Sequence, residues 1–331
     1  MKFNIVKQPI GIAILSHLAI VVLSLLFAAE PTALSTVDLT GLDLAIAPLG
    51  QHIAAYGAAH PTWGAWLAGI LLFVTATILT RTNYRYSLYG TNSSITFPIF
   101  AMVMSGVLYG GDYLSSSLVA MLSALMLQHI LGGYRNGFGF DQLFRGAACM
   151  GLLLLIEPAT APLVLLLAAT AVTLRRTTRE MVVMVGGLLL PIATLLYLNW
   201  AMGGDFSAPV VALYREATAG EWFGLFDHAP LTDAIFFMVV MVATAIGVLL
   251  FLANSYALSN KARHIMIFVS RMWLLSLVVV AMPSASVGLL ATVAIPCSLL
   301  IPVLLIRTHR SVAQLIYLLF TAASIALILL R

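Results

Sequence analysis

The chain has 331 residues, 62% of them hydrophobic and only 8% charged, with a formal net charge of +4. A soluble domain carries roughly 25% charged residues, so this chain cannot coat a water-soluble globule, and its mean hydropathy of +1.05 points the same way. The positive excess does not read as a nucleic-acid footprint, because the basic residues stand in ones, twos and threes at the ends of apolar blocks, where topology determinants sit.

Those blocks run to about 17–22 residues, the length that crosses roughly 30 Å of hydrocarbon as a helix. In chain order they predict spans at 9–29, 62–80, 95–110, 114–132, 144–156, 159–174, 181–202, 233–254, 265–282, 285–306 and 311–330. The first follows Lys2 and Lys7 and is too long for the core of a cleaved signal peptide, so it reads as a retained helix. The fifth and sixth are short and share the Glu157-Pro158 turn, as a tilted or incomplete hairpin would. The expected fold is therefore all-α and polytopic, with about ten or eleven spans in one membrane domain covering 1–331.

Charge sets the expected orientation. With the N-terminus in the cytoplasm, the inner loops hold Lys2, Lys7, Arg81, Arg85, Arg135, Arg145, Arg175, Arg176, Arg179, Lys261, Arg263, Arg307 and Arg310. Arg271 lies close enough to that face to snorkel to it. Only Arg215 and Arg331 fall outside, which is a strong positive-inside bias and predicts a multi-pass protein of the inner (cytoplasmic) membrane. Asp141 and Glu180 are the acidic residues expected inside, whereas Glu30, Asp38, Asp43, Asp112, Glu157, Asp205, Glu216, Glu221, Asp227 and Asp233 fall outside. The outer face is thus electronegative, suited to divalent cations or cationic groups.

Two outer loops are long. In Glu30 to Pro61, the residues Leu42, Leu44, Ile46, Leu49, Ile53 and Tyr56 are spaced loosely like the apolar side of a surface helix. In Gly203 to Thr232, the rings of Trp222, Phe223 and Phe226 beside Glu221 and Asp227 resemble a second interfacial helix. Such helices either rest on the membrane or roof a cavity opening to the outer leaflet.

Histidines and cysteines give little. Only His17 and His129 fall within spans, too few imidazoles for a di-haem or multi-histidine iron site, and Cys149 and Cys297 read as small packing residues. Almost every ionisable residue lies at a span end, whereas coupled carriers place charge near the midplane. The outer carboxylates remain. Asp38, Asp43, Asp112 and Glu157 stand on three successive outer turns. A carboxylate there can serve as general base on an acceptor hydroxyl, and two together, Asp43 with Asp112, can hold a divalent metal ion against a lipid-linked phosphate.

The stretch from Asp112 to Gly204 carries a resemblance. An acidic turn leads to a span ending at Arg135. Then come Arg145-Gly146-Ala147-Ala148-Cys149-Met150-Gly151-Leu152, Ile156-Glu157-Pro158-Ala159-Thr160-Ala161-Pro162, the basic Arg175-Arg176-Thr177-Thr178-Arg179-Glu180, and Gly186-Gly187 before Pro191. This resembles the middle of the GT-C superfamily of polyprenyl-phosphate-sugar-dependent membrane glycosyltransferases. Together with the length, it also resembles an uncharacterised polytopic integral-membrane family of the Bacteroidota. The resemblance implies a GT-C-like core, Asp38 or Asp43 as catalytic base, and Asp112 as the second acid on metal or acceptor. Arg215 is then expected on phosphate, with Glu157 and Trp222 binding the polyprenyl-phosphate sugar.

Two other classes stay open: a non-catalytic scaffold or assembly component of envelope biogenesis, partnered by other membrane proteins, and a carrier or flippase. A nucleic-acid partner is not expected.

Overall fold

The computed structural model describes residues 8–27, 49–90, 93–106, 113–134, 138–227 and 230–330. Its elements are α1 (Ile10–Leu26), α2 (Leu49–Ala59), α3 (Pro61–Tyr86), α4 (Thr96–Ser105), α5 (Tyr113–Gly132), α6 (Phe140–Ile156), α7 (Leu165–Thr173), α8 (Thr178–Ala201), α9 (Ala208–Ala217), α10 (Gly224–Asp227), α11 (Leu231–Ala253), α12 (Asn260–Ala281), α13 (Leu290–Arg307) and α14 (Arg310–Leu329). A 3₁₀ helix, Pro158–Val164, leads into α7, and shorter ones occupy Ser255–Ala257 and Val287–Leu289. No strand occurs among the described residues.

Seven elements are long and apolar enough to cross a membrane: α3, α5, α8, α11, α12, α14, and α13 taken with the turn before it. The α1 and α4 helices and the segment Pro158–Thr173 are apolar but shorter. The chain is an all-α polytopic membrane protein. Each predicted apolar segment contains helix among its described residues, and the largest boundary difference there is α3, which runs to Tyr86 where the hydropathy suggested a span to 80.

The core lies along α4 and α13. All ten residues of α4 are buried, as is nearly every residue of α13. Burying α13 carries a backbone cost, because Pro296 and Pro302 lie inside it and proline offers no N–H to the carbonyl four residues back. For Pro296 that carbonyl is Thr292 O, which instead accepts from Ser276 Oγ of α12 at 3.3 Å. Beside Pro302, Tyr89 Oη donates to Leu299 O at 2.9 Å. The Ser276 hydroxyl thus satisfies backbone at Pro296 that lipid could not.

Glycines set the closest helix contacts, as expected where no water drives helices together and backbones must approach for packing. A Cβ on Gly247 of α11 would meet Leu300 O of α13 at 2.6 Å. One on Gly187 of α8 would meet Phe144 O of α6 at 2.5 Å, and one on Gly151 of α6 would run into Leu188 O. Residue numbers rise together along the α6 and α8 pair, so these helices run parallel.

The two ends of the bundle differ in chemistry. At one end Tyr86, Tyr134, Arg85, Arg176 and Lys261 gather; at the other lie Glu157, Ser286, Gly220 and Pro283. These are the basic and acidic ends expected from the charge pattern.

Candidate functional site at the acidic end

Glu157 ends α6 in an extended conformation, and Pro158 then opens the 3₁₀ turn. Proline at the first helical position fits because that N–H would have no partner. A non-α segment next to an apolar bundle leaves backbone groups that protein or water must satisfy. Here α9 and α12 pack over the segment. The Glu157 carboxylate accepts from Ser286 Oγ at 3.1 Å, and Thr160 Oγ1 closes the turn onto Glu157 O at 2.7 Å.

Ser286 belongs to the connection between α12 and α13, and the loop after α9 docks onto the same connection. Ser284 Oγ donates to Ala217 O at 3.3 Å, and Phe223 N donates to Ala281 O at 3.2 Å. Gly220 has φ +94°, and a Cβ there would meet Pro283 O at 2.7 Å, so the position requires glycine twice over. Phe223 has φ 64°, a left-handed conformation that costs a non-glycine residue roughly 1–2 kcal/mol. Between the two connections lies an open cavity of about 460 Å³. Glu221 and Ser286 give it polar walls; Leu225, Pro283 and Val287 give it apolar ones.

Of the predicted site residues, Asp38, Asp43 and Asp112 lie outside the described residues, and the expected metal pair Asp43 and Asp112 lies there with them. Glu157 joins the cavity wall through Ser286. Trp222 neighbours Glu221 on the loop and is 62% exposed. Arg215 is exposed in the last turn of α9, the helix whose end Ser284 holds. Glu157, Trp222 and Arg215 are therefore on elements that meet at one end of the bundle. Among the described residues, no three His, Cys, Asp or Glu side chains gather as a metal-ligand set.

The helix expected around Trp222, Phe223 and Phe226 forms instead over Ala208–Ala217, and Trp222 and Phe223 occupy the turn before the short α10. The apolar spacing in the first outer loop does become helix where it is described, at Leu49–Ala59. Gly50 of this helix sits directly on Ile156 O, so α2 packs against the end of α6 instead of only resting on lipid.

No family model, curated protein or solved structure matches this chain. The site is therefore read from its own geometry.

Sequence reasoning passed over Ser286 and the wall role of Glu221. The signal for Ser286 is the run Pro283-Ser284-Ala285-Ser286-Val287-Gly288, small and polar between two strongly apolar spans. Burial also acts on Glu216 of α9, whose carboxyl is pushed above its usual range by loss of water.

A second feature lies on the apolar flank of α11. A groove of about 690 Å³ runs along α11, lined by Leu231, Ile235, Met238, Val242 and Ile246, with Leu304 and Ile316 opposite. Its walls are apolar throughout, and α11 begins immediately after the loop that lines the cavity.

Proposed function

We propose that this protein is an inner-membrane transferase of GT-C-like design, acting at the acidic, outer end on a substrate carried by a lipid phosphate. The observation that supports this reading is the pairing of a mixed-polarity cavity, walled by Glu221 and the Glu157-bound Ser286, with an apolar groove on the adjoining helix. A sugar headgroup needs hydrogen-bonding groups and carboxylates; its isoprenoid tail needs an apolar track in the membrane.

In this reading the N-terminus is cytoplasmic. Asp38 or Asp43 takes the proton of the acceptor hydroxyl, the freed oxygen attacks the anomeric carbon, and the bond to the phosphate oxygen breaks, leaving polyprenyl phosphate. Asp112, with Asp43, holds a divalent metal ion or the acceptor. Glu157, Trp222 and Arg215 bind the donor, Arg215 being the basic residue on this end before the C-terminus.

The test is turnover of radiolabelled polyprenyl-phosphate sugars by purified protein, with Asp43→Asn, Asp112→Asn and Glu157→Gln beside wild type. Turnover abolished in either aspartate variant and weakened in Glu157→Gln supports the reading. Folded wild-type protein that turns over nothing across a broad donor panel overturns it.

A non-catalytic scaffold of envelope biogenesis is the second reading, favoured by α8. That helix packs on α6 along one stripe and leaves Val182, Leu189, Tyr197, Leu198 and Trp200 exposed. Site-specific photocrosslinking from Val182 and Leu189 in native membranes would capture a partner helix under this reading, and lipid under the first.

A further inference from the structure

We infer that the basic end of the bundle binds a phosphate-bearing anion, presented as an anionic lipid headgroup, between Arg85, Lys261 and the rings of Tyr86 and Tyr134. The inference is independent of the proposed transferase activity, because it concerns the opposite end of the molecule.

Four chain segments converge there. Arg85 and Tyr86 end α3, Tyr134 follows α5, Arg176 precedes α8, and Lys261 and His264 open α12. Lys261 Nζ lies 5.0 Å from the Tyr86 ring centre and 5.8 Å from that of Tyr134, held between two π faces. Arg85 lies 5.5 Å from the Tyr86 ring. Arg176 lies 5.9 Å from Tyr134, and the His264 ring 6.2 Å from it. The rings are themselves positioned, since Tyr86 is buried and donates to Leu131 O at 2.8 Å. An aromatic face holds a cation in place but leaves its charge uncancelled.

The charge balance at this end is one-sided. Of the chain's acidic residues, the charge pattern puts only Asp141 and Glu180 here, and each already has an arginine: Arg145 with Asp141 at 2.9 Å and Arg176 with Glu180 at 3.0 Å. Glu180 also accepts from Gly139 N and Thr177 N, each at 3.0 Å, and from Thr177 Oγ1. Its acceptor capacity is spent. Arg85 and Lys261 are exposed and have no carboxylate within salt-bridge distance among the described residues. Two fixed, uncompensated cations at the rim of an apolar bundle, held by tyrosine rings, are suited to a phosphodiester.

The experiment is native mass spectrometry of the full chain in detergent, with equimolar phosphatidylglycerol and phosphatidylcholine and with Arg85→Gln, Lys261→Gln and their double variant. Wild type is expected to retain phosphatidylglycerol preferentially, with roughly fivefold of that preference lost for each cation removed. Arg307→Gln takes one charge from the same end without touching either ring, and it should retain the preference. Displacement of phosphatidylglycerol by millimolar inorganic phosphate would show that the phosphate group itself is recognised; resistance to it would assign the site to the lipid. Equal retention of both lipids by wild type, or equal loss of preference in Arg307→Gln, would overturn the inference.

Discussion

Ser286 Oγ and Glu157 Oε1 lie 3.1 Å apart although 129 residues separate them in the chain. One stands between α12 and α13; the other ends α6. Their bond ties the 3₁₀ turn to the connection that walls the cavity at the acidic end. Ser286→Ala removes a hydroxyl donor to a half-buried carboxylate, and a stability loss of about 1 kcal/mol is expected. It should be read from thermal unfolding in detergent, alongside faster proteolysis between 218 and 223, because the same connection anchors that loop.

Gly186 and Gly187 are adjacent but should respond oppositely to alanine. A Cβ on Gly187 meets Phe144 O at 2.5 Å, whereas one on Gly186 meets nothing within 4 Å. Gly187→Ala must push α8 off α6 and should cost about 1–3 kcal/mol. Gly186→Ala should be neutral, or stabilising by up to about 1 kcal/mol through helix propensity. Parallel melting curves for the two variants would check both signs.

Glu180 is the hub of the basic-end network, with side-chain exposure of 3% against 6% for its partner Arg176. Arg176 also donates to Gly133 O at 2.5 Å, so Glu180→Gln strands a guanidinium that cannot leave. A loss of about 3 kcal/mol is expected, as for breaking one side of a buried pair. The double variant Glu180→Gln with Arg176→Gln should recover part of it. A double-mutant cycle on unfolding free energy measures the coupling.

Glu216 gives the stability a pH dependence. Burial raises its carboxyl above the ordinary value of 4.5, so folding favours the protonated form. The benefit is fully present below that ordinary value and is lost as pH rises through the raised, folded value. Glu216→Gln should therefore raise the melting temperature at pH 7 and leave it unchanged at pH 4. A wild-type curve parallel to that of the variant across this window would contradict the assignment.

Much of the architecture was legible in the chain. Helix positions follow from apolar block length against bilayer thickness, and the two differently charged ends follow from where Arg, Lys, Asp and Glu interrupt those blocks. The start of α8 carries a signal that the span reading at 181–202 left unused, since Thr177-Thr178-Arg179-Glu180 spells a capping box and the structure forms it. The aromatic loop between α9 and α11 was read less well. Aromatic rings suggested a helix around Trp222, but Gly220 and Gly224 flank a turn that docks on Pro283, and the helix forms earlier at Ala208–Ala217.

The sequence by itself determined that this is a helical membrane protein, because each hydrophobic span and each flanking charge is a local property of a short window. Only the tertiary structure decided which of those windows meet. That Ser286 holds Glu157, that Ser276 satisfies the carbonyl freed by Pro296, and that Lys261 rests between Tyr86 and Tyr134 depend on helix order and rotation in the bundle. Those are fixed by glycine contacts between segments far apart in the chain, such as Gly247 on Leu300, and no periodicity within one segment encodes its partner.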